Sequence, residues 1–246
     1  SNVDDIKANI GQSSFDRYLI NDAQILFTED TEIIPDYLCA TWENNTKYLH
    51  IHSSVTVIGI NAFSDWKANN TQLKLLTNVS TIKMRAFANW ESNNYPLIIP
   101  TTLSVISDSC FSEWLSNTHQ LIIPDNIIEI EMSAFKNWTS NNKQLVLSAT
   151  LQSIGDSAFE GWVNNTYPII IPSSIQLIEM GVFKNWSLVP YIQIDAINPP
   201  ELMMEDAFEG QNNAPIYVPD ASVAAYKEAM SWNMLADRIF GISTKA

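Results

Sequence analysis

Large apolar residues recur along this chain every 24 residues. The spacing is clearest in seven tryptophans, at positions 42, 66, 90, 114, 138, 162 and 186, and in the residues three positions before them, which are phenylalanine in six units and Cys39 in the first. Internal repeats with periods of about 20 to 50 residues are typical of solenoids and related arrays. The pattern therefore predicts a stack of equal coils in which like side chains lie one above another.

Each unit opens with an alternation of inward and outward positions. Leu97 and Ile99 flank Ile98 and are followed by Pro100, a pattern typical of a short strand that ends where proline removes a backbone donor. Further aliphatic columns follow at the same 24-residue spacing. No single unit can bury its own apolar face, so the pattern predicts that stacking closes the core.

The second half of the unit predicts a turn of helix. Ala158, Phe159 and Trp162 are spaced so that they would share one helical face. An asparagine pair follows in most units, and asparagine tolerates the left-handed conformation that often ends a helix. We therefore expect these asparagines to adopt that conformation, as at Asn93, Asn94, Asn141, Asn142, Asn164 and Asn165.

The unit reads I-P-x-x-V-x-x-I-x-x-x-A-F, as in residues 99–111 and 171–183. This motif resembles the BspA-like, or Treponema-type, leucine-rich repeat family, and the likeness extends roughly over residues 10–240. The resemblance implies an α/β fold, a right-handed leucine-rich-repeat solenoid of 24-residue coils. A parallel strand sheet would lie on one face and short helices or turns on the other.

We interpret residues 1–246 as a single leucine-rich-repeat domain. Residues 1–24 form a degenerate N-terminal half coil, and residues 25–190 form the regular repeats. Past Trp186 the register slips by one residue, so residues 191–246 are expected to form irregular last coils and a C-terminal capping helix. The half coil is identified by Ile10, Phe15, Tyr18 and Asn21.

Composition and charge exclude several classes of partner. The net charge is −14, which opposes binding to nucleic acid or anionic lipid because lysine and arginine drive both. No apolar run approaches the roughly 18 residues of a membrane span, and the chain begins at Ser1 without a leader pattern. We therefore expect no nucleic-acid partner and no membrane insertion.

Catalytic and metal-binding patterns are not found. The chain has only 7 glycines and no phosphate-binding or nucleophile motif, so we expect no enzyme activity and no cofactor. His50 and His52 lie about three coils from His119, which argues against a metal site. Cys39 and Cys110 occupy apolar columns and are predicted to be buried rather than nucleophilic.

Two repeated features allow more than one interpretation. The tryptophan column is either a platform for sugar rings or a stacked core ladder, and its place beside Ala and Phe favours the core. The asparagine-rich turns create matches to the N-x-S/T glycosylation motif, which repetition alone would also produce. The candidate acceptors are Asn44, Asn69, Asn78, Asn137, Asn164 and Asn185.

The remaining candidate is the outward position of each predicted strand. It is polar toward the ends of the chain and aliphatic in four central coils. An aliphatic stripe of this kind indicates either a docking surface or an exposed sheet favoured by strand propensity alone. The residues assigned to protein binding are His50, Lys74, Ile98, Ile122, Val146 and Ile170, and the position continues at Gln193 and Tyr217.

The sequence therefore predicts a non-catalytic, protein-binding repeat protein. The resemblance implies a cell-surface or secreted protein that engages host or matrix proteins, with a role in adhesion. Two alternatives remain open at this point, a carbohydrate-binding module that uses exposed aromatic residues and a structural spacer. The sequence leaves the oligomeric state and the ligand open.

Overall fold

A computed structural model describes residues 5–8, 22, 24–27, 29–75 and 78–245. The predicted half coil of Ile10, Phe15, Tyr18 and Asn21 lies outside these residues. The strands are β1 Asp5–Ala8, β2 Gln24–Phe27, β3 Ile33–Ile34, β4 Val57–Ile58, β5 Thr81–Ile82, β6 Val105–Ile106, β7 Glu129–Ile130, β8 Ser153–Ile154, β9 Ile169–Ile171, β10 Leu177–Ile178, β11 Ile192–Ile194, β12 Glu201–Leu202, β13 Ile216–Val218 and β14 Ile239–Gly241.

The strands pair in parallel between successive coils, in two rows. One row contains two sheets. In the first, β3, β4 and β5 pair in that order, and in the second, β6, β7, β8, β10 and β12 pair in that order. The other row opens each coil and contains β9, β11, β13 and β14. This arrangement confirms the predicted solenoid with parallel strands and 24-residue coils.

The strand predicted at Leu97, Ile98 and Ile99 differs from the observed structure. At this position a strand forms near the N-terminus, as β2, and again from β9 onward, whereas the described residues of the coils between them form at most isolated bridges, such as Ile122 to Val146. The sequence pattern therefore predicted the direction of the side chains but not the length of the strand.

The segment predicted as a turn of helix forms consecutive turns instead. In the coil containing Trp162, Ser157 and Gly161 have positive φ values of 56° and 84°, which no α-helix accommodates. The N–H groups of Ser157, Phe159 and Gly161 donate to carbonyl groups of the next coil at 2.8–3.0 Å. The turns therefore continue the hydrogen bonding between coils, and this requirement overrides helix formation.

The core consists of vertical stacks of identical side chains. Phe87, Phe111 and Phe135 are fully buried, and their ring centroids lie 5.7–5.8 Å apart with nearly parallel planes. The seven spaced tryptophans form a second stack, with centroids 5.1–6.0 Å apart. Each coil therefore buries its aromatic residues against those of its neighbours, as the spacing predicts.

The C-terminal part of the chain covers the last coil. The helix α1 spans Val223–Glu228. Tyr226 within this helix and Trp232 after it are fully buried. The Trp232 ring lies 5.9 Å from that of Phe208, the last member of the phenylalanine stack. Short 3-10 helices complete this region at Glu205–Phe208, Asp220–Ser222, Trp232–Arg238 and Ile242–Thr244.

Candidate functional site

The outward positions of the opening segments form one row on the strand face, which we call the outward row. Parallel pairing joins Leu26 to His50 and His50 to Lys74, and it also joins Ile122 to Val146. From β9 onward the row continues through further paired positions. Its residues are Leu26, His50, Lys74, Ile98, Ile122, Val146, Ile170, Gln193, Tyr217 and Phe240.

The central part of the outward row is aliphatic and exposed to solvent. The exposed fractions of Ile98, Ile122 and Val146 are 60%, 53% and 38%, and Ile170 in the next coil is half-buried. The residues on either side, such as Leu97 and Ile99, point inward and are buried. A contiguous apolar stripe on a soluble surface is unusual, and such stripes commonly mark interaction sites.

A shallow depression adjoins this stripe. It has a volume of about 260 Å³, and Val146, Leu147, Ile170, Pro172 and Asp195 are among the residues that line it. The lining is therefore mostly apolar and includes one carboxylate, from Asp195. This combination can seat an apolar side chain of a partner and orient a donor group beside it.

The positions of the outward row on either side of the aliphatic stripe are polar or aromatic. His50 and Lys74 are both exposed, and the His50 ring lies 6.3 Å from that of Tyr48. At the other end, the Tyr217 ring lies 5.7 Å from that of Tyr191. The apolar stripe is thus bounded along the row by groups that can hydrogen-bond to a ligand.

The C-terminal end of the outward row carries a contact that the sequence did not predict. The Lys245 ammonium group donates to Gln193 Oε1 at 2.7 Å and lies 4.6 Å from the centroid of the Tyr191 ring. Lys245 is more than fifty positions from both residues in the sequence and lies beyond the repeat. No periodic signal could have brought these residues together.

The tryptophan column faces the core and not a ligand. All seven members are at most 1% exposed, and each indole from Trp66 onward donates to the carbonyl oxygen 27 residues earlier, as Trp138 does to Phe111 at 2.7 Å. The core interpretation is therefore confirmed. A sugar platform built from these tryptophans is wrong, because no ring face reaches solvent.

The asparagine pairs form a hydrogen-bonded ladder, and the left-handed conformation predicted for them lies elsewhere. One asparagine of each pair is buried, as at Asn141, whose Nδ2 donates to His119 O at 2.7 Å and whose Oδ1 accepts from Lys143 N at 3.1 Å. In the regular coils the positive φ angles fall two residues before and two residues after the phenylalanine, for example at Ser133 and Asn137. The ladder is a structural feature of the turn.

The candidate glycosylation sites differ in accessibility. Asn69 is fully buried and its amide bonds to Lys47 O and Thr71 N, so the folded chain closes this site. Asn137 is half-buried. The acceptors that are exposed are Asn44, Asn78, Asn164 and Asn185.

The cysteines and histidines occupy separate environments. Cys39 and Cys110 are buried free thiols, as predicted, and burial raises the pKa of both thiols above the ordinary value. His52 Nδ1 contacts Ser54 Oγ at 2.9 Å, and His119 Nε2 lies 3.1 Å from Asn94 O. Across the residues that the structure describes, no group of three or more histidine, cysteine, aspartate or glutamate side chains is arranged to hold a metal ion.

Charged side chains on the other faces pair between coils. Lys136 Nζ lies 2.8 Å from Glu160 Oε2, and Lys67 Nζ lies 3.3 Å from Glu43 Oε1. The pKa of Glu160 is below its ordinary value: burial of the carboxyl raises it, but the hydrogen bonds from Lys136 and Ser157 and the nearby lysine charges outweigh that effect. Pairs of this kind align neighbouring coils and contribute little stability individually.

Comparison with known proteins identifies relatives of the fold. A leucine-rich repeat protein from Bacteroides ovatus is similar, with a TM-score of 0.60 and 18% identity over 79% of this chain and 55% of its own. A leucine rich cell surface protein from Faecalibacterium prausnitzii is similar with a TM-score of 0.53 and 16% identity, over 91% of this chain and 65% of its own. The chain thus spans about half to two thirds of the length of these proteins, and identities this low show the fold alone.

No match was found among curated protein sequences. Among the described residues, no helix is both long enough and apolar enough to cross a membrane. The sequence profile of the BspA type leucine rich repeat region matches with six copies, over residues 32–162, 67–189 and 105–229. These matches span most of the chain, and the chain belongs to the BspA-type leucine-rich repeat family.

Proposed function

We propose that this chain is a non-catalytic protein-binding module whose binding site is the outward row, centred on Ile98, Ile122, Val146 and Ile170. The observation that carries the proposal is the exposure of isoleucine and valine in successive coils, up to 60% at Ile98. Repeat solenoids commonly bind partners through extended surfaces of this kind. His50 and Lys74 extend the site toward the N-terminal coils.

The charge of the chain favours a particular kind of partner. The net charge is −14, which attracts proteins with a basic surface and accelerates their association. An apolar stripe on an acidic protein fits a partner that presents aliphatic or aromatic side chains surrounded by lysine and arginine. We propose that a host or matrix protein with such a surface is the ligand.

We also propose a location at the cell surface or outside the cell, and a role in adhesion. One of the similar structures is named as a leucine rich cell surface protein, which supports this location by analogy. Fold likeness alone does not determine function, so the proposal requires a test by direct binding.

The experiment measures binding of the chain to a panel of immobilised extracellular-matrix proteins by surface plasmon resonance. The variant is Ile122→Asp, which puts a charge in the centre of the stripe. The matched control is Ile128→Asp, because Ile128 lies in the same coil, is 40% exposed and is outside the outward row. We expect Ile122→Asp to weaken binding at least tenfold and Ile128→Asp to leave it within about twofold. Equal effects of the two variants would contradict the proposal.

Two other functions are distinguished by the same panel. A structural spacer would show no saturable binding to any matrix protein. A carbohydrate-binding module would bind a glycan array instead, and the burial of the tryptophan column removes the feature that first indicated it. We therefore retain protein binding as the conclusion.

A further inference from the structure

Sulfur-containing side chains are divided between the surface and the core. All 7 methionines of the chain are exposed, by fractions from 39% at Met84 to 88% at Met230. The two cysteines are buried, with exposed fractions of 0% and 1%. Methionine is ordinarily among the residues most often buried, so an entirely exposed set is unusual.

The tryptophans are buried as well. All 8 tryptophans are at most 1% exposed. The buried apolar core contains no methionine, although methionine fills irregular gaps in most cores. On the surface of the described residues, thioether groups are therefore accessible to an oxidant, whereas the indole rings and thiols are buried.

Four of the methionines share one position of the coil. The pairing of Ile154 with Ile178 and of Ile178 with Leu202 places Met180 between Asp156 and Met204 in successive coils. The same position two coils earlier is Met132 and, two coils before that, Met84. We call Met84, Met132, Met180 and Met204 the corner row. The remaining three, Met203, Met230 and Met234, lie near the C-terminal cap.

We propose that the seven methionines are reversible oxidation sites through which the folded chain takes up a two-electron oxidant such as hydrogen peroxide. In each reaction the O–O bond of the peroxide breaks and one oxygen atom bonds to the thioether sulfur. The sulfur loses two electrons, and the other oxygen leaves as water with both protons. The product is methionine sulfoxide, which dedicated reductases convert back to methionine.

The arrangement decides the consequence for the fold. A sulfoxide in a core would place a polar group among apolar side chains and disrupt packing. Here each oxidised side chain is in contact with water, so the stacked aromatic core is untouched. Oxidation changes the corner row from apolar to polar while the solenoid remains folded. The thiols, whose higher oxidation states are irreversible, are not exposed to the reagent.

The test treats the full chain with hydrogen peroxide and follows the mass of the intact protein together with its circular dichroism. We expect uptake of 7 oxygen atoms, no change in the folded spectrum, and return to the starting mass on treatment with both sulfoxide reductases and a dithiol. Uptake of fewer oxygen atoms by the folded chain, or loss of the folded spectrum during uptake, would overturn the proposal.

A variant with a methionine in the core provides the matched control. Leu151 is fully buried, and leucine is exchanged for methionine with little loss of stability. While folded, Leu151→Met should take up as many oxygen atoms as the parent chain. After unfolding in urea it should take up one more than the parent chain treated in the same way. If the introduced methionine reacts in the folded chain as fast as the native ones, exposure does not control the reaction and the proposal fails.

Discussion

The regular coils and the last coils of this solenoid cover their apolar side chains in different ways. In the regular part, Trp138 lies between Trp114 and Trp162 at 5.5 and 5.6 Å, so each ring is covered by copies of itself. After the register slips, the tryptophan position is taken by Gln211, whose Nε2 still donates to Phe183 O at 3.0 Å. The asparagine position is taken by Val189, which is buried.

The difference shows which interactions depend on having a neighbour. A tryptophan ring is covered on both faces only while a similar coil follows, and a terminal coil needs another cover. That cover is formed by Tyr226 and Trp232, whose rings meet at 5.2 Å. Tyr226 Oη also donates to Ala196 O at 2.8 Å, and Trp232 Nε1 donates to Pro200 O at 2.8 Å.

The largest expected effect is at the centre of the tryptophan stack. Trp138→Ala removes three ring contacts, with Trp114, Trp162 and Phe135, and leaves Phe111 O without its indole donor. We expect a loss of about 5 kcal/mol in the free energy of unfolding, measured by urea denaturation. Leu188→Ala, at a site that is 51% exposed, is the control and should cost less than about 0.5 kcal/mol. Similar losses for the two variants would show that the stack does not stabilise the coils.

The next effect tests the asparagine ladder by introducing the residue of the last coils. Asn141→Val copies Val189 and removes the bonds to His119 O and from Lys143 N. Because the fully buried side chain loses both hydrogen bonds and two partly buried backbone groups lose their partner, we expect a loss of about 2–4 kcal/mol by the same measurement. The neighbouring variant Asn142→Val, at an exposed site, loses the bonds that Asn142 Oδ1 accepts from Thr166 N and Thr166 Oγ1. It should cost about 1 kcal/mol or less. An equal cost at both sites would contradict the role of the buried ladder.

Replacement of the residue that ends the tryptophan column should have a smaller effect. Gln211→Ala removes the bonds from Gln211 Nε2 to Phe183 O and from Arg238 Nη2 to Gln211 Oε1, the latter at 3.3 Å. No ring contact is lost, so we expect about 1–2 kcal/mol in a thermal or urea unfolding experiment. A loss as large as that of Trp138→Ala would mean that the hydrogen bond, and not ring stacking, dominates this position.

Much of this architecture was predictable because a 24-residue spacing determines which side chains face inward. Two features followed from that spacing alone: the burial of the phenylalanine and tryptophan columns, and the outward direction of the outward row. Periodicity does not reveal backbone partners, however, so the strand at Leu97 to Ile99 and the helix at Ala158 were predicted wrongly. Serine and asparagine with positive φ, such as Ser133, give no clear signal in a single sequence. The Lys245 contact could not be predicted, because it joins distant segments.

The smallest expected effect concerns the carboxyl group of Glu179, which directly follows β10. Burial raises the pKa of the Glu179 carboxyl and, although the Asp156 N–H bond at 3.0 Å opposes this rise, the carboxylate of Asp156 adds to it. A pKa that is higher in the folded state than in the unfolded state means that the ionised group weakens folding at neutral pH. Glu179→Gln should therefore raise the free energy of unfolding slightly at pH 7, by less than about 1 kcal/mol, and lose this gain below about pH 4.

The control for the loss of one charge is Glu205→Gln, at an exposed carboxyl outside the regular coils. The two variants should differ at pH 7 and converge in acid. A Glu179→Gln variant that is less stable than the parent at pH 7 would contradict the assignment.

The stacking of equal coils is tested most directly by comparing the urea unfolding of two deletion variants, followed by tryptophan fluorescence. Deleting residues 121–144 removes one whole coil and joins columns of the same phase, whereas deleting residues 121–132 removes half a coil. We predict cooperative unfolding and buried-indole emission for the first variant, with loss of both for the second. If the two variants behave alike, the register of the columns does not hold this protein together.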